Sequence, residues 1–216
     1  RPAQPTSPER TSPSPTPKRR LPVLRIALWV LVALVAGLLV LVVAFGQRET
    51  APVRTSAEPY GASFQLVDQT GAPATEAVLR GRPTALFFGF THCPDVCPTT
   101  LYELAGYQEK LRAQNKDLSV VFVTVDPERD TPDILRTYVG SIGADVKALT
   151  GDPARVEEMA KAFGILARKV PQGDGYTMDH TASVLLLDRT GAFKGTIAYG
   201  ENPETALAKL ERLASS

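Results

Sequence analysis

Cysteine and histidine are scarce in this sequence, and their scarcity limits the chemistry that the chain can perform. The 216 residues include only two cysteines and two histidines. Two thiolates alone leave zinc, which prefers four ligands, without a complete site. The sequence also lacks a constellation of activating groups for a peroxidatic cysteine. A net charge of only +1 gives no electrostatic reason to expect a nucleic acid as partner.

Charge is absent from one long segment, residues 26–46, which is rich in Leu, Val and Ala. A helix of that length, rising about 1.5 Å per residue, is long enough to cross a bilayer core of roughly 30 Å. The segment is apolar all round, and it is longer than the roughly 7 to 15 apolar residues of a cleaved signal peptide. No cysteine lies within it or just after it, which excludes a bacterial lipoprotein attachment site. We therefore expect a retained transmembrane anchor over residues 23–46.

The segments on either side of this run predict its orientation. Residues 1–22 are rich in Pro, Ser and Thr and predict a disordered tail. The positive-inside rule places this tail in the cytoplasm, because four basic residues lie immediately before the run: Lys18, Arg19, Arg20 and Arg25. Residues 47–58 predict a linker, and residues 59–216 predict one domain with a full core. That domain would lie outside the cytoplasm, in a periplasm or an equivalent compartment that permits disulfides.

The domain alternates strand and helix patterns, which predicts an α/β layer fold with helices on both faces of the sheet. Continuous apolar runs are typical of central strands that are covered on both faces. The predicted strands are Phe64–Asp68, Thr84–Phe90, Leu118–Asp126, Ala182–Asp188 and one around Phe193–Tyr199. Proline in the first turn marks the helix starts. These starts are Cys97–Pro98, for a helix to about Gln114, and then Thr131–Pro132, Asp152–Pro153 and Asn202–Pro203.

The two cysteines, Cys93 and Cys97, follow a predicted central strand and open the next helix. The carboxyl end of such a strand is where sites form, and a helix N-terminus favours thiolate over thiol. Thiolates are nucleophiles in disulfide exchange and ligands for soft metals, and the position suits either use. A purely structural disulfide is the alternative, but closing so short a loop contributes only about 2 kcal/mol.

The spacing of the cysteines allows both sulfurs to face one ion, since three residues separate them. An added imidazole gives a soft site of two sulfurs and one nitrogen, which suits copper better than zinc or magnesium. His92 is adjacent to Cys93, where it is equally compatible with an exposed loop position. His180 precedes the third apolar strand in a loop that can lie beside the cysteines, although the residues alone do not establish that they meet.

Three motifs carry a family resemblance: FGFTHCPDVCPTTL, then VTVDPERDTPDIL, then YTMDHTASVLLLD. In this order and rough spacing, they resemble the Sco/SenC family of copper-binding assembly factors over essentially the whole soluble domain. The resemblance implies a thioredoxin-like fold, with a central mixed β-sheet flanked by helices behind one N-terminal transmembrane helix. In that fold, the loop before the third strand packs against the cysteine motif.

The resemblance also implies the ligands and the partner. Cys93, Cys97 and His180 correspond to the family's copper ligands, for Cu(I) or Cu(II). The partner it implies is the copper-accepting subunit of cytochrome c oxidase. Asp179 is a candidate to polarise His180 or approach oxidised copper, and Met178 is a weak candidate soft ligand.

The charged loop Asp126–Asp130 belongs to the second motif, where it either orients the site, meets a partner or has only a structural role. Two functions remain open for the domain as a whole. A metallochaperone would hold copper at all three ligands and pass it on by ligand exchange. A thiol–disulfide oxidoreductase would use Cys93 and Cys97 as a redox pair to reduce the acceptor's cysteines, and His180 would then be largely dispensable.

Overall fold

The computed structural model describes residues 21–46, 60–143 and 145–215. The predicted linker, and the predicted tail up to residue 20, lie outside these ranges. The chain divides into two compact units, Arg1–Val53 and Arg54–Ser216.

The first unit contains helix α1, Leu21–Gly46, which has 26 residues. Its composition explains the helix, because Leu and Ala are strong helix formers and no proline follows Pro22 within it. Within the part of the chain that the structure describes, no helix is both long enough and apolar enough to cross a membrane. The predicted membrane span over residues 23–46 is therefore not confirmed.

The second unit has the alternating strands and helices that the sequence predicts. A short 3-10 turn, Glu76–Leu79, follows the first two strands. The strands are β1 Gln65–Asp68, β2 Pro73–Thr75, β3 Thr84–Gly89, β4 Ser119–Thr124, β5 Val146–Thr150, β6 Ala167–Gln172, β7 Gly175–His180, β8 Val184–Leu187 and β9 Phe193–Ile197. The helices are α2 Val96–Ala113, α3 Pro132–Ile142, α4 Pro153–Ala162 and α5 Pro203–Ala214.

Seven strands form one mixed sheet in the order β2-β1-β5-β4-β3-β8-β9. Strands β3, β4 and β5 are parallel, whereas β1, β2, β8 and β9 pair antiparallel with their neighbours. Every residue of β3 and β4 is buried, as the continuous apolar runs predict. The predicted mixed sheet flanked by helices is confirmed.

Neighbouring phenylalanines of β3 show how both faces of this sheet are covered. Phe87 pairs in register with Phe122 of β4, whose ring lies 5.8 Å from that of Tyr138 on α3. Phe88 points to the opposite face, where its ring lies 5.9 Å from that of Phe163, the residue after α4. Because successive side chains of a strand alternate between faces, one apolar run builds both halves of the core.

The predicted helix starts are confirmed at three prolines by the capping side chains before them. Asp152 Oδ1 accepts hydrogen bonds from the amides of Ala154 and Arg155, at 3.0 and 3.4 Å. Asn202 caps α5 in the same way, and Thr131 accepts from the third residue of α3. Helix α2 begins at Val96, one residue before Cys97 and two before Pro98.

Strands β6 and β7 correct one expectation. The sequence predicts a loop before the third apolar strand, but His180 is the last residue of β7. β7 pairs antiparallel with β6 over six residues, from Ala167 opposite His180 to Gln172 opposite Gly175. This β6–β7 hairpin forms a separate two-stranded sheet. Its strand residues are half-buried or exposed, so the sequence contains no apolar run that would predict it. Strands β2 and β5 are likewise absent from the sequence prediction.

Candidate metal centre

The cysteine loop lies just beyond the carboxyl end of β3. Cys97, in the first turn of α2, is fully buried, while Cys93 is half-buried, and both thiols are free. Gly89, the last residue of β3, provides the space for the buried sulfur. A Cβ atom at Gly89 would lie 2.8 Å from Cys97 Sγ and 2.9 Å from Cε2 of Phe122. Sulfur therefore packs directly against strand backbone, an approach that a side chain at this position would prevent.

The N-terminus of α2 faces the other cysteine. The backbone amide of Cys97 donates a hydrogen bond to Cys93 Sγ at 3.4 Å. This amide is among those that have no acceptor within their own helix, and the helix dipole adds positive potential there. The Cys93 sulfur thus accepts a hydrogen bond at the helix N-terminus where the sequence places the cysteine pair.

His180 lies directly against the buried cysteine. Its Nε2 is 3.6 Å from Cys97 Sγ, and its Nδ1 is 3.0 Å from the carbonyl oxygen of Thr181. A carbonyl oxygen only accepts hydrogen bonds, so Nδ1 carries the proton. The lone pair of Nε2 then points towards the sulfur. This is the tautomer that a metal-binding histidine needs.

Two aromatic rings fix the plane of the imidazole. Phe90 meets the His180 ring edge-on, with centroids 5.8 Å apart, and Phe87 lies on another side at 6.3 Å. This apolar enclosure disfavours charge on either partner. Burial raises the pKa of the Cys97 thiol above its ordinary value and lowers the pKa of His180 below its own. A cation that binds both atoms would compensate the loss of the thiol proton.

The structure thus brings the three predicted ligands close together, but their side chains are not yet arranged around a single point. Cys97 and His180 are in contact, and Cys93 is tied to the Cys97 amide. Over the described residues, no group of three His, Cys, Asp or Glu side chains is already arranged to hold a metal ion.

The other candidates from the sequence lie away from this contact. His92 is 53% exposed, and its Nδ1 is 3.9 Å from the Asp130 carboxylate. Asp179 binds Arg168 at 2.7 and 2.9 Å on the strand face opposite to His180. Its charge partly opposes the lowering of the His180 pKa by burial, but its hydrogen bonds go to Arg168. Met178 packs against the hydrophobic core.

Asp130 is a structural support of the cysteine loop that sequence reasoning left undecided. Its buried carboxylate accepts hydrogen bonds from the amide and hydroxyl of Thr91, at 3.0 and 2.6 Å. It also accepts one from the hydroxyl of Thr124 at 2.6 Å. These bonds fasten the start of the cysteine loop to the loop after β4. The only signal in the sequence is an acidic residue that follows a buried strand closely.

Comparison with known proteins gives a consistent result. The profile of the SCO1/SenC family matches residues 52–215. A SCO2-like protein of Rickettsia typhi is 35% identical over 136 residues, which are 62% of this chain and 67% of that protein. The mitochondrial protein SCO2 of Saccharomyces cerevisiae is 33% identical over 69% of this chain and 51% of its own length. The chain therefore spans between half and two thirds of these two relatives.

The solved structures that resemble this chain also include Sco proteins. Bradyrhizobium japonicum ScoI with copper bound is 42% identical, with a TM-score of 0.65 over 71% of this chain and 99% of that one. Yeast Sco1 with copper bound is 29% identical, with a TM-score of 0.67 over 74% and 90%. BsSco, described as a cytochrome c oxidase assembly protein of the Sco family with a disulfide switch, is 25% identical, with a TM-score of 0.59 over 72% and 95%.

Proposed function

Because the chain belongs to the SCO1/SenC family, we propose that it binds copper through Cys93, Cys97 and His180 and delivers it during cytochrome c oxidase assembly. The acceptor in this proposal is the oxidase subunit that holds copper. The observation that carries the proposal is the contact of 3.6 Å between Cys97 Sγ and the unprotonated Nε2 of His180.

The spacing of this pair suits one metal ion. Ligand distances of about 2.3 Å to sulfur and about 2.0 Å to nitrogen, which zinc adopts, separate the two donors by about 3.5 Å at a tetrahedral angle. The third donor requires the Cys93 sulfur to leave the Cys97 amide and join the pair. Two sulfurs and one imidazole favour copper, because structural zinc takes a fourth protein ligand.

Different exposure of the two cysteines supports transfer rather than permanent storage. Cys97 is buried, whereas Cys93 is half-buried and is therefore the more exposed of the two. An acceptor thiolate or imidazole can reach the ion first from the side of Cys93. Copper then moves by stepwise ligand exchange, with Cys97 and His180 as the last ligands to release it.

A second function has its own support. The Cys93 sulfur is accessible and accepts the amide hydrogen bond of a helix N-terminus, which suits a nucleophilic thiolate. As a reductase, Cys93 would attack an acceptor disulfide and form a mixed disulfide. Cys97 would then displace the acceptor's second thiol, so that the domain becomes disulfide-bonded and the acceptor gains two electrons. This chemistry does not use His180.

Copper titration of the reduced full chain separates these functions. We expect one copper per chain, with sulfur-to-Cu(II) charge-transfer absorption, and a large loss of affinity in His180→Ala. His92→Ala is the matched control, because that imidazole faces Asp130 and should leave affinity unchanged. Unchanged affinity in His180→Ala removes this residue from the site, and a wild type that binds no stoichiometric copper leaves the reductase as the working function.

The location of the domain is a further part of the proposal. The uncharged run of residues 26–46 and the basic residues before it support a single membrane span with the domain outside the cytoplasm. Anchoring would keep donor and acceptor in one plane and raise their effective concentration. Extraction of membranes with alkali tests the anchor, since a spanning chain stays in the pellet, whereas release into the supernatant would contradict it.

A further inference from the structure

The β6–β7 hairpin carries His180, yet it is not part of the main sheet. Its position over Cys97 therefore depends on contacts other than a shared strand ladder. The charged loop Asp126–Asp130, which follows β4, provides such contacts at the other end of β7, around Tyr176.

A buried carboxylate is at the centre of these contacts. The side chain of Asp126 has no exposed surface. Its Oδ1 accepts a hydrogen bond of 2.9 Å from the hydroxyl of Tyr176, and its Oδ2 pairs with Nε of Arg129. Because a buried charge is costly unless it is paired and hydrogen-bonded, Asp126 strongly favours the arrangement that keeps both partners in place.

Arg129 binds the same tyrosine in two additional ways. Its Nη1 donates a hydrogen bond of 3.1 Å to the backbone carbonyl of Tyr176. Its guanidinium carbon lies 3.9 Å from the centroid of the Tyr176 ring, which is close enough for a cation–π interaction. The hairpin is thus bound by both backbone and side chain at one residue.

Strand geometry connects this point to the metal centre. Tyr176, Met178 and His180 alternate with their neighbours along β7, so all three face the same side. Tyr176 docks on Asp126, Met178 packs on the core and His180 reaches Cys97. Tyr176 and His180 are four residues apart, about 13 Å along a strand, and the pairing with β6 keeps that length rigid.

We propose that Asp126, Arg129 and Tyr176 form a clamp that positions His180 against Cys97. The three act as positioning residues, because none of them touches the candidate ligands in the described contacts. The expected effect of the clamp on copper binding rests on the proposed copper site. The contacts that hold the hairpin do not depend on a metal ion. The clamp thus gives the loop Asp126–Asp130 a role in positioning His180.

Tyr176→Phe is the sharpest test, because it removes one hydroxyl and keeps the ring over Arg129. Loss of a supporting contact behind a metal ligand typically weakens metal binding by about 10-fold to 100-fold. We expect a fall of about tenfold in the affinity of the reduced full chain for Cu(II). Asp174→Asn is the control: it changes an exposed side chain in the turn of the same hairpin and should leave affinity unchanged.

A double-mutant cycle shows whether Tyr176 acts through His180. If it does, Tyr176→Phe has no further effect on copper affinity in the His180→Ala background. Equal losses in both backgrounds would overturn the clamp and indicate a general effect on the fold. No loss in the wild-type background would overturn it as well.

A measurement without copper separates failure of the clamp from failure of the copper site. The His180 and Phe90 rings are 5.8 Å apart, so their protons should give a nuclear Overhauser effect in the reduced, metal-free chain. We expect this signal to weaken in Tyr176→Phe and to persist in Asp174→Asn. An unchanged signal in Tyr176→Phe overturns the clamp even if the wild type binds no copper. If Tyr176→Phe does not fold, Arg129→Lys takes its place in the same comparisons, because lysine lacks the paired donors.

Discussion

The seven-stranded sheet and the β6–β7 hairpin meet at the candidate metal centre, but they are built from different kinds of sequence. In the sheet, every residue of β3 and β4 is buried, and apolar runs mark the positions of these strands. In the hairpin, β6 and β7 are half-buried or exposed, and polar contacts hold them. The cysteine loop follows the sheet, and His180 belongs to the hairpin.

Because of this difference, Cys97 and His180 are held in position in different ways. Buried apolar surface makes the sheet the most stable part of the unit, so Cys97 has a fixed position. A segment with few buried contacts opens at a lower free energy than the core. The position of His180 relative to Cys97 therefore depends on the polar contacts of the hairpin, whereas the sheet determines the position of Cys97 alone.

The largest expected effect comes from breaking the sheet itself. Phe87→Ala removes a fully buried ring from the central strand. Such truncations typically lower the free energy of unfolding by about 3 to 5 kcal/mol, which denaturant unfolding measures. Leu166→Ala, at the base of the hairpin, removes a side chain that is 60% exposed and should change stability by less than about 0.5 kcal/mol. Similar losses of unfolding free energy at both positions would contradict the claim that the sheet is more stable than the hairpin.

The next effect concerns the junction between sheet and site. Gly89→Ala places a methyl group 2.8 Å from Cys97 Sγ, so the sulfur or its helix has to shift. Overpacking of this kind typically costs about 1 to 3 kcal/mol, and we expect copper affinity to fall with it. Gly106→Ala in α2 is the control, since no atom lies within 4 Å of its added Cβ. Normal copper binding by Gly89→Ala would show that the close approach of sulfur and strand is unimportant.

The turn between β8 and β9 should make stability depend on pH, whereas the turn between β6 and β7 should not. Asp188, after β8, is mostly buried; burial opposes its charge, but hydrogen bonds from Thr190, Lys194 and Ala192 prevail and lower its pKa to about 2. Its ionised form therefore stabilises the fold by roughly 2 kcal/mol above pH 4, and this stabilisation disappears as the pH falls from about 4 to about 2.

Asp188→Asn should accordingly be less stable than wild type at pH 7 and should approach it near pH 2, as measured by urea unfolding. Asp174→Asn, in the exposed turn between β6 and β7, is the matched control and should have little effect at either pH. A destabilisation by Asp188→Asn that does not depend on pH would assign its effect to shape rather than to charge.

The smallest effect is expected on the outer face of the hairpin. Arg168 and Asp179 form an ion pair in which both side chains are exposed, by 67% and 47%. Pairs of this kind contribute about 0 to 1 kcal/mol. Arg168→Gln should therefore leave both stability and copper affinity nearly unchanged. A clear loss of copper affinity would show that Asp179, once released from its pair, influences the neighbouring His180.

The contrast between sheet and hairpin also explains what the sequence could predict. The strands β3, β4 and β8 coincide with apolar runs, and three helices start at prolines after capping residues, because these signals are local. Strand β2 was missed because it has only three residues, and strand β5 was missed because a lysine at position 147 interrupts a short run. The β6–β7 hairpin was missed because its pairing does not depend on an apolar pattern.

The candidate site was predictable in part for the same reason. Cys93 and Cys97 lie next to a strong strand and helix signal, so their placement follows from local sequence. His180 is 83 residues from Cys97, and the resemblance to Sco/SenC proteins, not the pattern of residues, predicted that they meet. The bonds of Asp130 to Thr91 and of Tyr176 to Asp126 span 39 and 50 residues, and no local pattern marks such pairs.

X-ray absorption spectroscopy of the full chain loaded with one equivalent of copper tests whether Cys93, Cys97 and His180 bind the ion together. We expect a copper ion with two sulfur ligands and one imidazole nitrogen, and an imidazole contribution that disappears in His180→Ala but remains in His92→Ala. A wild-type spectrum without an imidazole ligand, or one that is identical in His180→Ala, would contradict this expectation.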